Sequence, residues 1–188
     1  MEAENMYEIF KARAEGVGAE VHRFGTRGET VDFILPFLRK AGVTDAPGCF
    51  AVWADCPFLG GLDQQALLEF PGLGFEVSRE LAAQARVGIS QMEWALADTG
   101  SLVQDQSAVE QRLVSTLPSI HIALVAAGNI LDGKSALFAR INPSTSRYIA
   151  FITGPSRTAD IERVLTIGVH GPERLIIIFV DELEGKKR

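Results

Sequence analysis

Two apolar runs, at residues 120–126 and 175–180, constrain the fold of this chain more than any other feature. Neither run alternates between apolar and polar residues, as a strand with one wet face would. Uninterrupted runs of this length are typical of strands that are covered on both faces, as in parallel sheets. Each is far shorter than the roughly 18 residues that a membrane-spanning helix needs. The runs therefore predict the buried centre of an α/β fold.

Helices and strands alternate along the rest of the chain. This order predicts a three-layer α/β fold with a mostly parallel sheet, formed as one domain over residues 1–188 with an N-terminal helix and a charged tail at 184–188. Pro36 predicts a kink or a break in the second helix. The apolar spacing predicts helices at residues 5–15, 29–40, 64–69, 113–117 and 133–139, and further strands at Glu20–Phe24, 50–53, 101–103 and 148–153.

Two more helices are predicted from their start signals. Ser90 and Glu93 have the S-x-x-E spacing of a capping box, which predicts a helix that begins at Ser90 and ends before Gly100. The segment 154–158 (GPSRT) follows a predicted strand and predicts a second helix that runs to Leu165.

Composition excludes several classes of function. The chain has 188 residues, 18 basic and 24 acidic, for a formal net charge of -6. An acidic chain is a poor non-specific nucleic-acid binder, and no apolar run is long enough to span a membrane. The N-terminus lacks the basic and apolar regions of a signal peptide, which predicts a cytoplasmic protein. Cys49 and Cys56 fit no zinc or iron–sulfur pattern, so we expect reduced thiols and no cofactor.

A candidate anion site lies at the predicted start of the last helix. Gly154, Ser156, Arg157 and Thr158 would present backbone N–H groups and a guanidinium to a carboxylate or phosphate. The alternative is a plain helix cap, in which a hydroxyl accepts the backbone N–H groups and Arg157 is solvated.

Two loops carry candidate catalytic groups. His170 stands beside Gly171 on a loop before the last strand, where it can act as an acid or base; a structural turn is the alternative. Asp98, with Gly100 behind it, can act as a base, a nucleophile or a ligand, or can instead bond the backbone of a turn. His121 lies within an apolar run and is predicted to be a satisfied core or strand-end histidine.

Several blocks of sequence together resemble the lactate utilization protein C (LUD domain) family. Their order and spacing match across residues 85–180, and the family usually has Glu at the position of Asp98 and Thr at that of Ser101. The blocks are 87–90 (VGIS), 97–103 (ADTGSLV), 118–125 (PSIHIALV), 154–162 (GPSRTADIE) and 168–172 (GVHGP).

The resemblance implies a fold similar to the superfamily of glucosamine-phosphate isomerase, ribose-phosphate isomerase and CoA transferases. It also implies a role in the oxidation of L-lactate to pyruvate beside iron–sulfur partner subunits, with a small carboxylate or phosphate as ligand. Two alternatives stay open: a free-standing enzyme on a sugar phosphate or acyl-CoA, with Asp98 or His170 as base or nucleophile, and a scaffold module. The sequence also leaves open whether the chain forms a homo-oligomer.

Overall fold

A parallel sheet of six strands forms the centre of the computed structural model, which describes residues 2–62, 65–141, 144, 148–159, 165–167 and 171–183. The spatial order is β1-β12-β7-β4-β2-β3, and every neighbouring pair is parallel. The strands of this sheet are β1 (Glu20–Phe24), β2 (Ala51–Trp53), β3 (Leu73–Gly74), β4 (Val87–Met92), β7 (Ile120–Ala126) and β12 (Arg174–Val180). The predicted α/β class and parallel sheet are confirmed.

Two smaller sheets, six α-helices and two short 3₁₀ helices (Leu59–Gly61 and Ala127–Asn129) complete the described fold. The second sheet has the order β8-β5-β6-β9, and β10 pairs with β11. Their strands are β5 (Trp94–Leu96), β6 (Ser101–Asp105), β8 (Ile130–Leu131), β9 (Ile149–Ile152), β10 (Arg157–Ala159) and β11 (Leu165–Ile167). The helices are α1 (Glu2–Gly16), α2 (Arg27–Lys40), α3 (Gln65–Leu68), α4 (Arg79–Gln84), α5 (Val109–Thr116) and α6 (Lys134–Phe138). Across these residues, no helix combines the length and the apolar character that crossing a membrane requires.

The two faces of the central sheet bury different layers. One face packs against α2, where Ile34 and Leu38 are fully buried. The other face packs against α1 and the second sheet, and Phe179 of β12 lies edge-on to Tyr7 and Phe10 of α1 at centroid distances of 5.3 and 5.1 Å. Because both faces are covered, β7 and β12 are apolar without alternation.

The helix predicted from Ser90 is wrong, because residues 87–96 form β4 and β5. Strand β4 lies between β2 and β7 and pairs with both. The side chain of Ser90 bonds His121 on the neighbouring strand, and the Glu93 carboxylate accepts the N–H of Asp105 at 2.9 Å. Both residues of the apparent capping box therefore have partners that are distant in sequence, and strand pairing overrides the local signal.

The helix predicted over residues 154–165 is also wrong where the structure describes that segment. Arg157–Ala159 and Leu165–Ile167 are antiparallel strands, with Thr158 opposite Thr166. Residues 160–164 and the tail at 184–188 lie outside the described residues. Helix α2 continues without a break through Pro36, whose side chain is exposed.

Candidate functional site

The C-terminal end of α1 borders a hollow of about 550 Å³, here called the α1 hollow. It collects charged and hydroxyl side chains from α1, the β5–β6 turn, the start of α6 and the end of β9. The lining residues are Ala12, Arg13, Gly16, Val17, Asp98, Thr99, Ser101, Lys134 and Thr153. Sequence reasoning identified Asp98 but missed Arg13 and Lys134, because nothing in a single sequence brings α1 and α6 together.

The tight turn between β5 and β6 places Asp98 at this hollow. Gly100 has a φ of +66°, and a Cβ there would lie 2.5 Å from the backbone nitrogen of Ala14, so the turn can approach α1 only with glycine. The exposed carboxylate of Asp98 accepts a hydrogen bond from the Thr99 hydroxyl at 3.2 Å. The same carboxylate lies next to Gly133, where a Cβ would collide with it. Gly100 thus supplies the positive φ of the turn, and the Asp98 side chain is exposed to solvent.

Thr153 forms another part of the wall of the hollow, and the segment 154–157 behind it packs against the end of α1. Gly154 has a φ of +69°, and a Cβ there would lie 2.8 Å from the carbonyl oxygen of Val17. The guanidinium of Arg157 donates to that same carbonyl, so one of its donors closes the last turn of α1. The Thr153 and Ser101 hydroxyls share a hydrogen bond of 2.7 Å, which joins this wall to β6.

The other predicted site residues have different surroundings. The N–H of Ser156 donates to the Pro172 carbonyl at 2.8 Å, and a Cβ on Gly171 would lie 3.0 Å from the Ser156 Cβ. The segments that carry Ser156 and Gly171 are therefore adjacent. Thr158 belongs to β10, where the structure describes its backbone only. His170 lies outside the described residues. The roles assigned to all of these residues stay predictions.

The charges around the α1 hollow favour a small anion. Arg13 and Lys134 are exposed, and Asp98 is the carboxylate among the lining residues, so the formal charge is positive. The end of α1 opposes this with its carbonyl dipole, although the Arg157 donor offsets part of that effect. Thr99, Ser101 and Thr153 add hydroxyl groups to the same lining. The arrangement can hold a carboxylate that carries a neighbouring hydroxyl group.

A second cavity, of about 410 Å³, opens at the carboxyl ends of β2, β4 and β7; we call it the carboxyl-end cavity. Sequence reasoning missed it, because Glu93 was interpreted as a helix cap. The polar residues that directly follow buried strands are the signal that indicates this cavity, because the carboxyl ends of parallel strands meet at one edge of the sheet. The lining residues are Asp55, Cys56, Pro57, Gln91, Met92, Glu93, Asp105, Ser107, Ala108, Gln111 and Asn129.

The described part of the chain contains no metal centre. Cys49 and Cys56 are both free thiols, and burial raises the pKa of Cys56. Within the described ranges, no three His, Cys, Asp or Glu side chains lie close enough together to hold a metal ion.

His121 is a fully buried histidine with one hydrogen-bonded nitrogen. Its Nε2 lies 2.9 Å from the Ser90 Oγ, and its Nδ1 has no partner among the described residues. The prediction of a core histidine is confirmed, but only one of its two nitrogens is satisfied. Burial disfavours the charged imidazolium and lowers the pKa of His121 to about 4.

We expect the free energy of unfolding to fall as pH falls from about 6.5 to about 4. In this range His121 is protonated in the unfolded chain but stays neutral in the folded protein. Between pH 7 and pH 5 this residue alone removes about 2 kcal/mol from the free energy of unfolding, at 1.36 kcal/mol per pKa unit. Urea unfolding at both pH values measures the loss. His121→Gln, which keeps a hydrogen-bonding group near Ser90, should lose less; an equal loss in both proteins would contradict the assignment.

Comparison with known proteins identifies relatives of this chain. The sequence model of the LUD domain matches residues 7–180. Lactate utilization protein C of Exiguobacterium sp. is 35% identical over 114 residues, which are 57% of this chain and 50% of the relative. The protein of the same name from Bacillus subtilis is 36% identical over 107 residues, which are 54% of this chain and 45% of the relative. This chain thus spans about half the length of these curated relatives.

A solved structure shares the fold. The crystal structure of a DUF162 family protein from Deinococcus radiodurans is similar with a TM-score of 0.62 and 19% identity. The similarity covers 96% of this chain and 99% of that one. The two proteins therefore share the central sheet and the layers on both of its faces.

Proposed function

Because this chain belongs to the LUD domain family, we propose that it acts in lactate utilization. The observation that carries the proposal is the match of the family over residues 7–180, together with curated relatives named lactate utilization protein C. Two of the blocks that carry the resemblance lie beside the end of α1: Asp98, in one block, lines the α1 hollow, and Gly154 and Arg157, in another, contact Val17.

The finer proposal is that the chain is a subunit that supports oxidation of L-lactate to pyruvate beside iron–sulfur partner proteins. Its two cysteines are too few for the four thiolates that commonly hold a cluster. Cys56 is also buried with a raised thiol pKa, which disfavours the thiolate that a metal requires. Electron transfer through clusters would then fall to the partners, and this chain would contribute binding and positioning.

The ligand proposed for the α1 hollow is a small 2-hydroxy carboxylate. Arg13 and Lys134 would attract its carboxylate, and the hydroxyls of Ser101 and Thr153 would bond its polar groups. Asp98 would accept a hydrogen bond from the ligand's hydroxyl group and so orient the ligand in the hollow, while the electrons of the oxidation would pass to the iron–sulfur partners. Arg157 and Gly154 would hold the wall of the hollow against α1.

Affinity purification from cells that grow on lactate tests the subunit proposal. We expect the tagged chain to co-purify with proteins that bear iron–sulfur clusters, which absorbance near 400 nm and iron analysis would detect. The isolated chain should not turn over sugar phosphates or acyl-CoA esters. Recovery of the chain alone, or turnover of either substrate class by the isolated chain, would contradict the proposal and favour a free-standing enzyme.

A further inference from the structure

Strand β9 has an open edge at the border of the second sheet. In the two larger sheets, the edge strands β3 and β8 have only two residues each, and the edge strand β1 carries Glu20 and Arg23 in ion pairs. Short strands and charged residues protect a sheet edge against further pairing. Strand β9 has four residues, Ile149–Ile152, and none of them is charged. The protection found at the other three edges is therefore missing from β9.

The register shows which backbone groups of β9 face outward. The Gln106 N–H donates to the Tyr148 carbonyl at 2.8 Å, so these two residues form a hydrogen-bonded pair. Hydrogen-bonded and non-hydrogen-bonded pairs alternate along an antiparallel ladder. Ala150 therefore bonds β6, and the N–H and C=O groups of Ile149 and Phe151 point away from β6. Among the described residues, none bonds these four outward groups.

The side chains at this edge are apolar and only partly covered. Phe151 is 40% exposed, and Tyr148, which directly precedes the strand, is 49% exposed. Phe151 ends a row of paired residues that runs through Val103 of β6 to the buried Trp94 of β5. The apolar interior of the second sheet thus continues to its open edge, where an added strand would cover it.

Two cations flank the edge, one on each face of β9. The Lys134 Nζ of α6 lies 5.5 Å from the centre of the Phe151 ring. The Arg112 guanidinium of α5 lies 5.1 Å from the centre of the Tyr148 ring. The two rings lie on opposite faces because their residues are three positions apart on an extended chain. Neither cation forms an ion pair with a carboxylate in the part of the chain that the structure describes.

An open strand edge can pair with a second copy of this chain or with a segment of another protein, and charge distinguishes the two. A second copy would bring another Lys134 and another Arg112 to the same edge, where like charges repel. The carboxylate on the neighbouring strand, that of Asp105, already accepts the N–H and the hydroxyl of Ser107 at 2.9 and 2.6 Å. An acidic segment would supply the carboxylates that the two cations lack.

We propose that β9 accepts an extended acidic segment of a partner protein as a fifth strand of the second sheet. Backbone hydrogen bonds to Ile149 and Phe151 would supply affinity, as in other cases of strand addition. Carboxylates of the segment would meet Lys134 on one face of the sheet and Arg112 on the other. The interface depends on the open edge alone, so it holds or fails separately from the proposed role in lactate utilization.

Three fluorescent heptapeptides test the proposal: EVEVEVE, KVKVKVK and EPEPEPE. Each is titrated with the full chain at pH 7 while fluorescence polarisation is measured. We expect saturable binding of EVEVEVE and at least tenfold weaker binding of the other two. The lysine peptide has the wrong charge, and the proline peptide has the right charge without the N–H groups that a strand needs. No binding of EVEVEVE, or equal binding of either other peptide, would overturn the proposal.

Variants of the edge locate the binding. Phe151→Pro removes an outward N–H but no bond to β6, and it places the proline ring where the added strand would lie. The Kd of EVEVEVE should rise at least tenfold, whereas Phe151→Val keeps the N–H and should stay within about threefold of the wild type. An unchanged Kd in folded Phe151→Pro would refute the interface. A dimer in sedimentation velocity that Phe151→Pro dissociates would overturn the proposal in favour of a second copy.

A charge variant covers the case in which Phe151→Pro does not fold. Arg112→Gln removes one flanking cation and should raise the Kd of EVEVEVE about threefold, as expected for an exposed ion pair. Arg79→Gln removes the same charge from an exposed position on α4 and should leave the Kd unchanged. An unchanged Kd in Arg112→Gln, or equal weakening by Arg79→Gln, would contradict the proposed site.

Discussion

Replacing Phe10 with alanine is expected to lower the free energy of unfolding by about 4 kcal/mol, within the range for large-to-small changes in a packed core. Phe10 is fully buried between α1 and the central sheet, and its ring lies 5.1 Å from that of Phe179 at 80°. Alanine removes this edge-to-face contact and leaves a cavity that the surrounding β12 and second sheet cannot close. Urea unfolding at 25 °C measures the change.

Ile9→Ala is the matched control for this prediction. Ile9 is the adjacent residue on α1 and is 42% exposed, so its loss should cost less than about 1 kcal/mol. Equal losses in the two variants would mean that α1 does not pack against the sheet through Phe10. The contact matters beyond stability, because α1 also carries Arg13 to the α1 hollow.

Gly88→Ala is the second change with a large expected effect, about 3 kcal/mol of destabilisation or a failure to fold. Gly88 is buried in β4, where a Cβ would overlap the Val114 carbonyl oxygen and lie 2.9 Å from the Pro118 ring. The obstacle is the backbone of α5, which cannot move aside as the end of a flexible side chain can. Thermal unfolding of the purified variant measures the loss.

Gly60→Ala controls for the general effect of adding a methyl group to a glycine. Gly60 is exposed in a short turn, and no atom lies within 4 Å of the position that its Cβ would take. We expect a change within about 0.5 kcal/mol of the wild type. A stable Gly88→Ala protein, with the same melting temperature as Gly60→Ala, would show that β4 and α5 are not in close backbone contact.

Part of the central sheet was predictable, because a strand such as β7 that is buried on both faces has a local signature. Strands β1 and β7 begin and end at the predicted residues, Glu20–Phe24 and Ile120–Ala126. Helix α1 was predictable for a related reason, since its apolar residues recur with the helical period. In each case the signal lies within the element itself, so one sequence suffices to detect it.

The segment that begins at Ser90 shows where local signals fail. Its capping-box spacing is genuine, but the Ser90 hydroxyl bonds His121 and β4 pairs with strands on both sides. These contacts join residues about 30 positions apart, and their sum outweighs the propensity of six residues. The prediction of a helix after Gly154 is wrong for the same reason. Segment 154–158 has residues typical of a helix start, but these residues do not reveal that β10 pairs with β11.

The candidate site was predictable in part. Glycines and a turn aspartate marked the two segments that meet at the end of α1, because only glycine permits the approach of Gly100 to Ala14 and of Gly154 to Val17. The cationic side chains there could not be assigned, since Arg13 and Lys134 resemble any solvated residue of a helix. The carboxyl-end cavity depends on strand order, which a single sequence does not specify.

The most direct test of the central claim is L-lactate consumption by a strain that lacks this protein. We expect consumption to stop on deletion, to return with the wild-type chain and to stay at least tenfold lower with Lys134→Met, which removes a cation from the α1 hollow. Lys40→Met, a change at an exposed position at the end of α2, should restore consumption fully. Unchanged lactate consumption in the deletion strain would contradict the claim.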